Sequence, residues 1–424
     1  MRRIRPSIPL IGVLVCTPIL ALQQFGVFKE LAEGLLRIYE RRLMLPGSLV
    51  SLRLLNYGYY TFMAFLSAWV CVRVPRQLPR FAFILAVTFL TFALSPLLAF
   101  NGILFEPFSG SVAVIAAGLL GLAFSGTEKG RRLSLFREFF VGRLSVSQFS
   151  RLVENKEPVK LNSKREVSSL TCRLLNMDKL SLDLPPAELE LLCSAFMKSV
   201  AEFLVGKGAY LDVCNAQGIT VQFGFPVADA EHERTACKVA LALRSYLVEL
   251  SAELEKRWGH KPQVGIGISS GTAVCGLMGY RDFQFYSVVG EPPDMSRRLC
   301  NMNGVYGSPL LISARTFNAV KTAVEVRPME MIAAPGQTSV SEVYELLAEK
   351  GALTPPESSA RDAFWEGVVA LRQGDAKAAI AKLTAAGGKD KDHNDAPLRY
   401  FLTQAEALAS GLAARAKRKT EEHA

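Results

Sequence analysis

Residues 264–291 read VGIGISSGTAVCGLMGYRDFQFYSVVGE, and this stretch decides the fold. Its first part, with Gln263 before it, predicts two glycine-broken strands; SVVG then opens into the helix PPDMSRRLCNM. Gly265, Gly267, Gly271, Gly276 and Gly279 fit strand kinks and turns. A GxGxxxG spacing is a weak phosphate signal by itself and is read as structural. Upstream, VSSLTCRLL (167–175) predicts a buried strand, and a helix runs from Pro186 to about Gly206. AYLDVC (209–214) and ITVQFGF (219–225) flank a hairpin turn at Asn215-Ala216-Gln217-Gly218, and a long amphipathic helix covers roughly 229–257. Downstream come strands near PLLIS and EVYELL. The order β-α-β-β-α-β-β-α-β, with its last strand, argues an α+β sheet domain with helices on one face.

The rest of the chain is different in texture. The 424 residues are 50% hydrophobic, with mean hydropathy +0.21, and the excess lies in the first 125. Apolar runs at Ile8–Phe28, Leu54–Val74, Phe81–Phe100 and Phe108–Phe124 predict about four spans, each near the ~20 residues that cross the hydrocarbon layer. The first run also follows a basic start like a signal peptide's, without a convincing cleavage site. The net charge of +10 is compatible with nucleic acid, but the basic residues sit at span ends. Arg2, Arg3 and Arg5, then Arg73, Arg76 and Arg80, then Lys129, Arg131 and Arg132 share one side, which predicts a cytosolic soluble half. The stretch LAEGLLRIYERRL (31–43) reads either as a helix on the outer bilayer surface or as a solvated linker. Spans three and four carry no central charge, so the region reads as an anchor and not as a transport path. Eight scattered Cys and four His, with no CxxC, argue against a disulfide scaffold or a structural zinc. His232 and His260 read as surface residues.

Residues 136–347 resemble the class III nucleotidyl cyclases in their bacterial membrane-bound form. The pieces that carry the resemblance are FREFFVGRLSVSQFSRLVE, the hairpin ending QFGFP, the stretch 264–291, RRL, GSPLLIS, and VRPMEM with VYELL, in order and at the right spacing. The resemblance implies a ferredoxin-like domain that dimerises, because family active sites form between two such domains. It also implies ATP-to-cyclic-AMP chemistry on two Mg²⁺ ions held by two carboxylates.

Carried over residue by residue, that machinery is altered. The first metal-binding Asp position falls on Arg173 and the second on Gln217; neither side chain replaces a carboxylate. Asp178 and Asp212 lie five residues away, on other turns or strand positions. The purine-selecting positions become Val213 and Ser287, and the transition-state Asn becomes Asp294. The transition-state Arg is retained as Arg298, and the late phosphate-binding Lys falls near Pro335. Arg298 also reads as a plain helix arginine, and Glu291 with Asp294 as a helix-start charge pair. Arg281 and Asp282 fall in the loop that family members use at the dimer interface.

The tail, AFWEGVVALRQGDAKAAIAKLTAA (363–386) then PLRYFLTQAEALA (397–409), resembles one tetratricopeptide-type hairpin plus a third helix. The expected organisation is a transmembrane region at 1–128, a cytosolic linker at 129–165 and a cyclase-homology domain at 166–350. A helical tail at 358–412 and a disordered end at 413–424 complete it. The expected protein is a multi-pass inner-membrane signalling protein with a degenerate, regulatory cyclase domain, bound to the lipid bilayer and to no nucleic acid. Two other readings stand beside it: an active adenylate cyclase with unorthodox ligands, and the inactive half of a heterodimer. No cofactor is expected in the first reading. Mg or Mn belongs to the active one, and ATP or GTP binding remains open.

Overall fold

A computed structural model describes residues 7–43, 50–74, 77–101, 103–127, 139–154, 162–216, 218–280, 283–333, 340–387 and 395–421. The chain divides into two compact units, 1–141 with 153–155, and 142–152 with 156–424.

The first unit is helical. Its helices are α1 (Ser7–Gln24), α2 (Lys29–Leu43), α3 (Arg53–Arg73), α4 (Gln77–Ala99) and α5 (Pro107–Gly126). Two-residue strands β1 (Val50–Ser51) and β2 (Ile103–Leu104) pair in parallel. Among the described residues, α4 and α5 are each long and apolar enough to cross a membrane. The segments Ile8–Gln24 and Lys29–Tyr39 reach that standard only as a pair, bent by 70°. Helix α3 has the length but opens with Asn56, Tyr57, Tyr59 and Tyr60, which lower its apolar content. Two helices that can span, and a third as a broken pair, therefore stand where four spans are expected. Close packing holds the unit together. A Cβ on Gly118 would meet Ile84 Cδ1 at 2.6 Å, and one on Gly121 would meet Cys71 Cβ at 2.8 Å, so small residues set the helix approach. The buried Ser67 Oγ donates to Val114 O at 2.9 Å between α3 and α5.

The second unit begins with α6 (Val146–Glu154) and is built on one eight-stranded mixed sheet. Its strands are β3 (Ser163–Leu174), β4 (Tyr210–Asn215), β5 (Gly218–Phe223), β6 (Val264–Tyr280), β7 (Phe283–Val289), β8 (Leu310–Ser313), β9 (Val324–Ala333) and β10 (Val340–Glu349). The order is β4-β5-β3-β6-β8-β10-β9, with β7 on β6. Among the described pairings of this sheet, only β6–β8 is parallel. The connecting helices are α7 (Met177–Asp183), α8 (Pro186–Gly206), α9 (His232–Trp258), α10 (Glu291–Tyr306) and α11 (Ala314–Val320).

Two expectations are corrected here. The stretch 264–280 is one strand of 17 residues, not two. A Cβ on Gly267 would lie 2.2 Å from Ser296 O, and one on Gly265 would lie 2.8 Å from Cys300 O. These glycines do not break the strand; they let the backbone of α10 rest on it. Nor are the helices confined to one face. Leu310 and Ile312 of β8 point into the core with α8 and α9, whereas Leu311 between them packs with Met295 and Leu299 of α10, as strand alternation requires. Covered on both sides, β3 is buried at every position from Val167 to Cys172. His232, expected at the surface, is 5% exposed, with Nδ1 2.8 Å from Ser168 Oγ.

The tail is part of this unit. Helices α12 (Pro355–Arg372), α13 (Ala376–Ala386) and α14 (Ala396–Glu421) bring Phe364, Leu383 and Phe401 into the core beside α10. A capping box between Thr354 and Glu357 starts α12, and Asp375 Oδ1 caps α13 by accepting from Ala378 N at 3.0 Å. Arg327 of β9, buried under this layer, pairs with Glu345 of β10 and with Asp395 before α14. Helix α14 continues to Glu421, through the stretch expected to be disordered.

Candidate functional site

The hairpin β4–β5, the end of β3 and the start of α10 enclose a pocket of about 230 Å³. Arg173 sits near the end of β3, opposite Gly265 of β6. Its stem lies against the hairpin turn: a Cβ on Gly218, whose φ is +135°, would fall 2.5 Å from Arg173 Cγ and 2.8 Å from Cys172 O. Only glycine suits that conformation and that approach. The guanidinium Nη1 donates to Asn301 Oδ1 of α10 at 2.7 Å, while Nε is buried without a partner.

Asp212 lies at a β-bulge, where the β4–β5 register slips between Leu211 and Val213. Bulges re-aim a side chain, and this one turns Asp212 inward to 5% exposure while Val213 stays 38% exposed. Both oxygens of the Asp212 carboxylate accept hydrogen bonds. Oδ1 accepts from Ser287 Oγ at 2.7 Å; Oδ2 accepts from Gln222 Nε2 at 2.9 Å and from Val288 N at 3.4 Å. Arg143 Nη1 donates to the Asp212 backbone carbonyl at 2.9 Å. Burial pushes the carboxyl above the ordinary range, and the bonds from Ser287, Gln222 and Val288 pull partly against it. The neighbouring thiols are inert: burial pushes Cys300 up to about 12 and Cys275 up to about 11.

The structure brings together three of the expected positions, since Arg173, Val213 and Ser287 all line this pocket. Asp294 and Arg298 are not among the lining residues; Pro293 and Arg297 are. Asp294 is exposed and ion-paired with Arg297. Arg298 is half-buried, and its charge acts on Tyr306, whose hydroxyl donates to Glu330. Gln217, Arg281, Asp282 and Pro335 lie outside the described residues. Asp212, weighed only as a substitute ligand, is the residue around which the pocket is organised. Its signal in the sequence is a lone carboxylate inside an apolar strand.

A divalent cation wants several hard, anionic oxygens. The described lining offers one carboxylate whose two oxygens already accept hydrogen bonds, and beside it stands the Arg173 cation. These residues do not fit a Mg²⁺ ion. They leave a pocket with two guanidinium groups, Arg173 and Arg297, and the hydroxyls of Thr171 and Thr220 on its walls.

No family model matches the chain. Adenylate cyclase 1 of Rhizobium meliloti is 24% identical over 195 residues, which is 46% of this chain and 29% of that protein. An uncharacterized protein of Mycobacterium tuberculosis is 25% identical over 208 residues, 46% of this chain and 35% of that one. The chain thus spans about a third of the length of the curated relatives it matches. The crystal structure of the guanylyl cyclase Cya2 superposes with a TM-score of 0.42 at 22% identity, covering 46% of this chain and 97% of that one. Homology to adenylate cyclase 1 supports the class III nucleotidyl cyclase family for the sheet domain.

Proposed function

We propose that this chain is a membrane-anchored signalling protein whose cyclase-homology domain acts as a regulatory and dimerising module with little or no turnover of its own. One observation supports the reading: the Arg173 side chain lies against the hairpin turn, and the resemblance assigns this residue to the family's first metal-binding carboxylate. A fixed cation there opposes a divalent ion. A nucleotide that does enter meets guanidinium groups directly, without a bridging metal. Helices α4 and α5 supply the anchor, with the sheet domain on the cytosolic side. In this reading Asp294, exposed and paired with Arg297, offers no stabilisation to a developing phosphate charge.

The test is cyclic-nucleotide formation from ATP and GTP by the purified full chain in detergent, first with Mg²⁺ and then with Mn²⁺. The expected result is no product above a protein-free control. Product that disappears in an Arg298→Ala variant overturns the proposal in favour of an active cyclase with other ligands. Activity that appears only after mixing with a second cyclase-domain chain identifies the inactive half of a heterodimer.

A further inference from the structure

The helical unit contains a second cavity, larger than the sheet pocket and chemically unlike it. It measures about 500 Å³, within the range of small-molecule sites. It lies where α1 ends, α2 and α3 begin, and the chain leaves β2, so four segments converge on one end of the unit. This is also where the apolar helix breaks: α1 stops at Gln24, Gly26 adopts φ +78°, and α2 departs at 70°. Broken helices at membrane depth are tolerated where they line a polar cavity.

The polar groups on its wall include two orphaned acceptors. Among the described residues, Gln23 Oε1 and Asn56 Oδ1 have no hydrogen-bond partner, and Asn56 is 1% exposed. Both residues line the cavity, with the two oxygens themselves closed off just beneath its surface. A buried acceptor left without a donor is costly, so neither is explained by the fold. The ionic groups lean the same way. Glu33, Glu106 and Lys29 line the space, and Lys29 Nζ lies 3.9 Å from Glu33 Oε1, which offsets one carboxylate and leaves Glu106. Glu106 Oε2 accepts from Gln23 Nε2 at 2.9 Å, and its backbone carbonyl accepts from Tyr60 Oη at 2.6 Å. The carboxylate is therefore held in place while its remaining lone pairs stay available.

We propose that this cavity binds a small organic ammonium compound, whose N–H groups donate to the Glu106 carboxylate and, as the Asn56 and Gln23 side chains turn toward it, to Asn56 Oδ1 and Gln23 Oε1. The site is independent of the sheet pocket and of what the cyclase domain does there. A bound ligand would tie α1, α2 and α3 together at the bend, which makes the cavity an input site for the helical unit.

The experiment is calorimetric titration of the purified full chain in detergent with ethylammonium, putrescine and agmatine. Tetramethylammonium, which has charge but no N–H donor, and succinate, a dianion, are the comparisons. At least one of the three donors is expected to bind at least tenfold more tightly than tetramethylammonium, with no binding of succinate. Glu106→Gln keeps the size of the side chain and should weaken that ligand at least tenfold, and Asn56→Leu should weaken it too. A melting temperature for Glu106→Gln equal to that of the parent chain shows that the fold is retained. Absence of binding by all three donors, equal binding of tetramethylammonium, or an unchanged affinity in Glu106→Gln each overturns the proposal.

Discussion

The two cavities treat their buried oxygen acceptors in opposite ways. In the sheet pocket, both oxygens of Asp212 accept hydrogen bonds, three in all, from Ser287, Gln222 and Val288. In the helical cavity, the side-chain oxygens of Asn56 and Gln23 receive none. The first pocket lies in the cyclase-homologous domain, and its carboxylate is satisfied from within the fold, although Arg173 Nε is not. The second has no recognisable motif, yet carries polar groups the fold leaves unused. The difference teaches that ancestry and available chemistry can lie in different regions of one chain.

The largest expected effect tests the first half of that contrast. Asp212→Ala leaves the Gln222 amide, the Ser287 hydroxyl and the Val288 N–H without their acceptor, at a cost of about 2 kcal/mol. The three tryptophans make the measurement selective, since Trp258 and Trp365 lie in the sheet unit and Trp69 in the helical one. In a Trp69→Phe background, the denaturant midpoint read by fluorescence should fall. An unchanged midpoint would mean that the network contributes nothing to the sheet unit.

A smaller effect of opposite sign tests the second half. Removing an acceptor that has no donor relieves a penalty, so Asn56→Leu should stabilise the helical unit by about 1 kcal/mol. Trp69 reports this when Trp258 and Trp365 are replaced by Phe. Destabilisation would show that Asn56 is satisfied in solution and that the contrast between the two cavities does not hold. The gain in stability should accompany the loss of ammonium binding, as expected where a polar group is kept for a ligand.

Much of the sheet unit was legible in sequence because strand alternation and helix period record burial directly. The hairpin turn, the helix from Pro186 to Gly206 and the helix opening after SVVG stand where the pattern puts them. What was not legible depends on partners distant in the chain. The glycines of 264–280 look like strand breaks until α10 is seen resting on them. Asp212 looks like a stray carboxylate until Ser287, 75 residues on, is seen donating to it. His232 looks like a surface residue until Ser168 meets its ring. In the helical unit, hydropathy located the apolar runs but could not show the bend after α1 or the orphaned oxygens beside it. Both depend on where α3 and the 104–106 segment come to lie.

The smallest expected effect is a pH dependence, and it bears on whether the Asp212 network is held as an ion or as an acid. Burial raises the folded-state carboxyl above its unfolded value, so the folded state takes up the proton more readily. The stability this contributes is fully present below the unfolded carboxylate pKa. It is lost as pH rises through the raised folded value. In the Trp69→Phe background, the sheet unit should therefore lose stability across that window as pH rises. Asp212→Asn keeps an oxygen for Ser287 or Gln222 but cannot ionise, so this part of the slope should vanish in the variant. The test is the difference between the two pH profiles, which cancels every titration they share. A difference of the opposite sign, with the parent gaining stability relative to Asp212→Asn as pH rises, would mean that the three donors and Arg143 outweigh burial. Asp212 would then be a settled anion, and the pocket between Arg173 and Arg297 would be less positive toward an incoming phosphate than its two guanidinium groups imply.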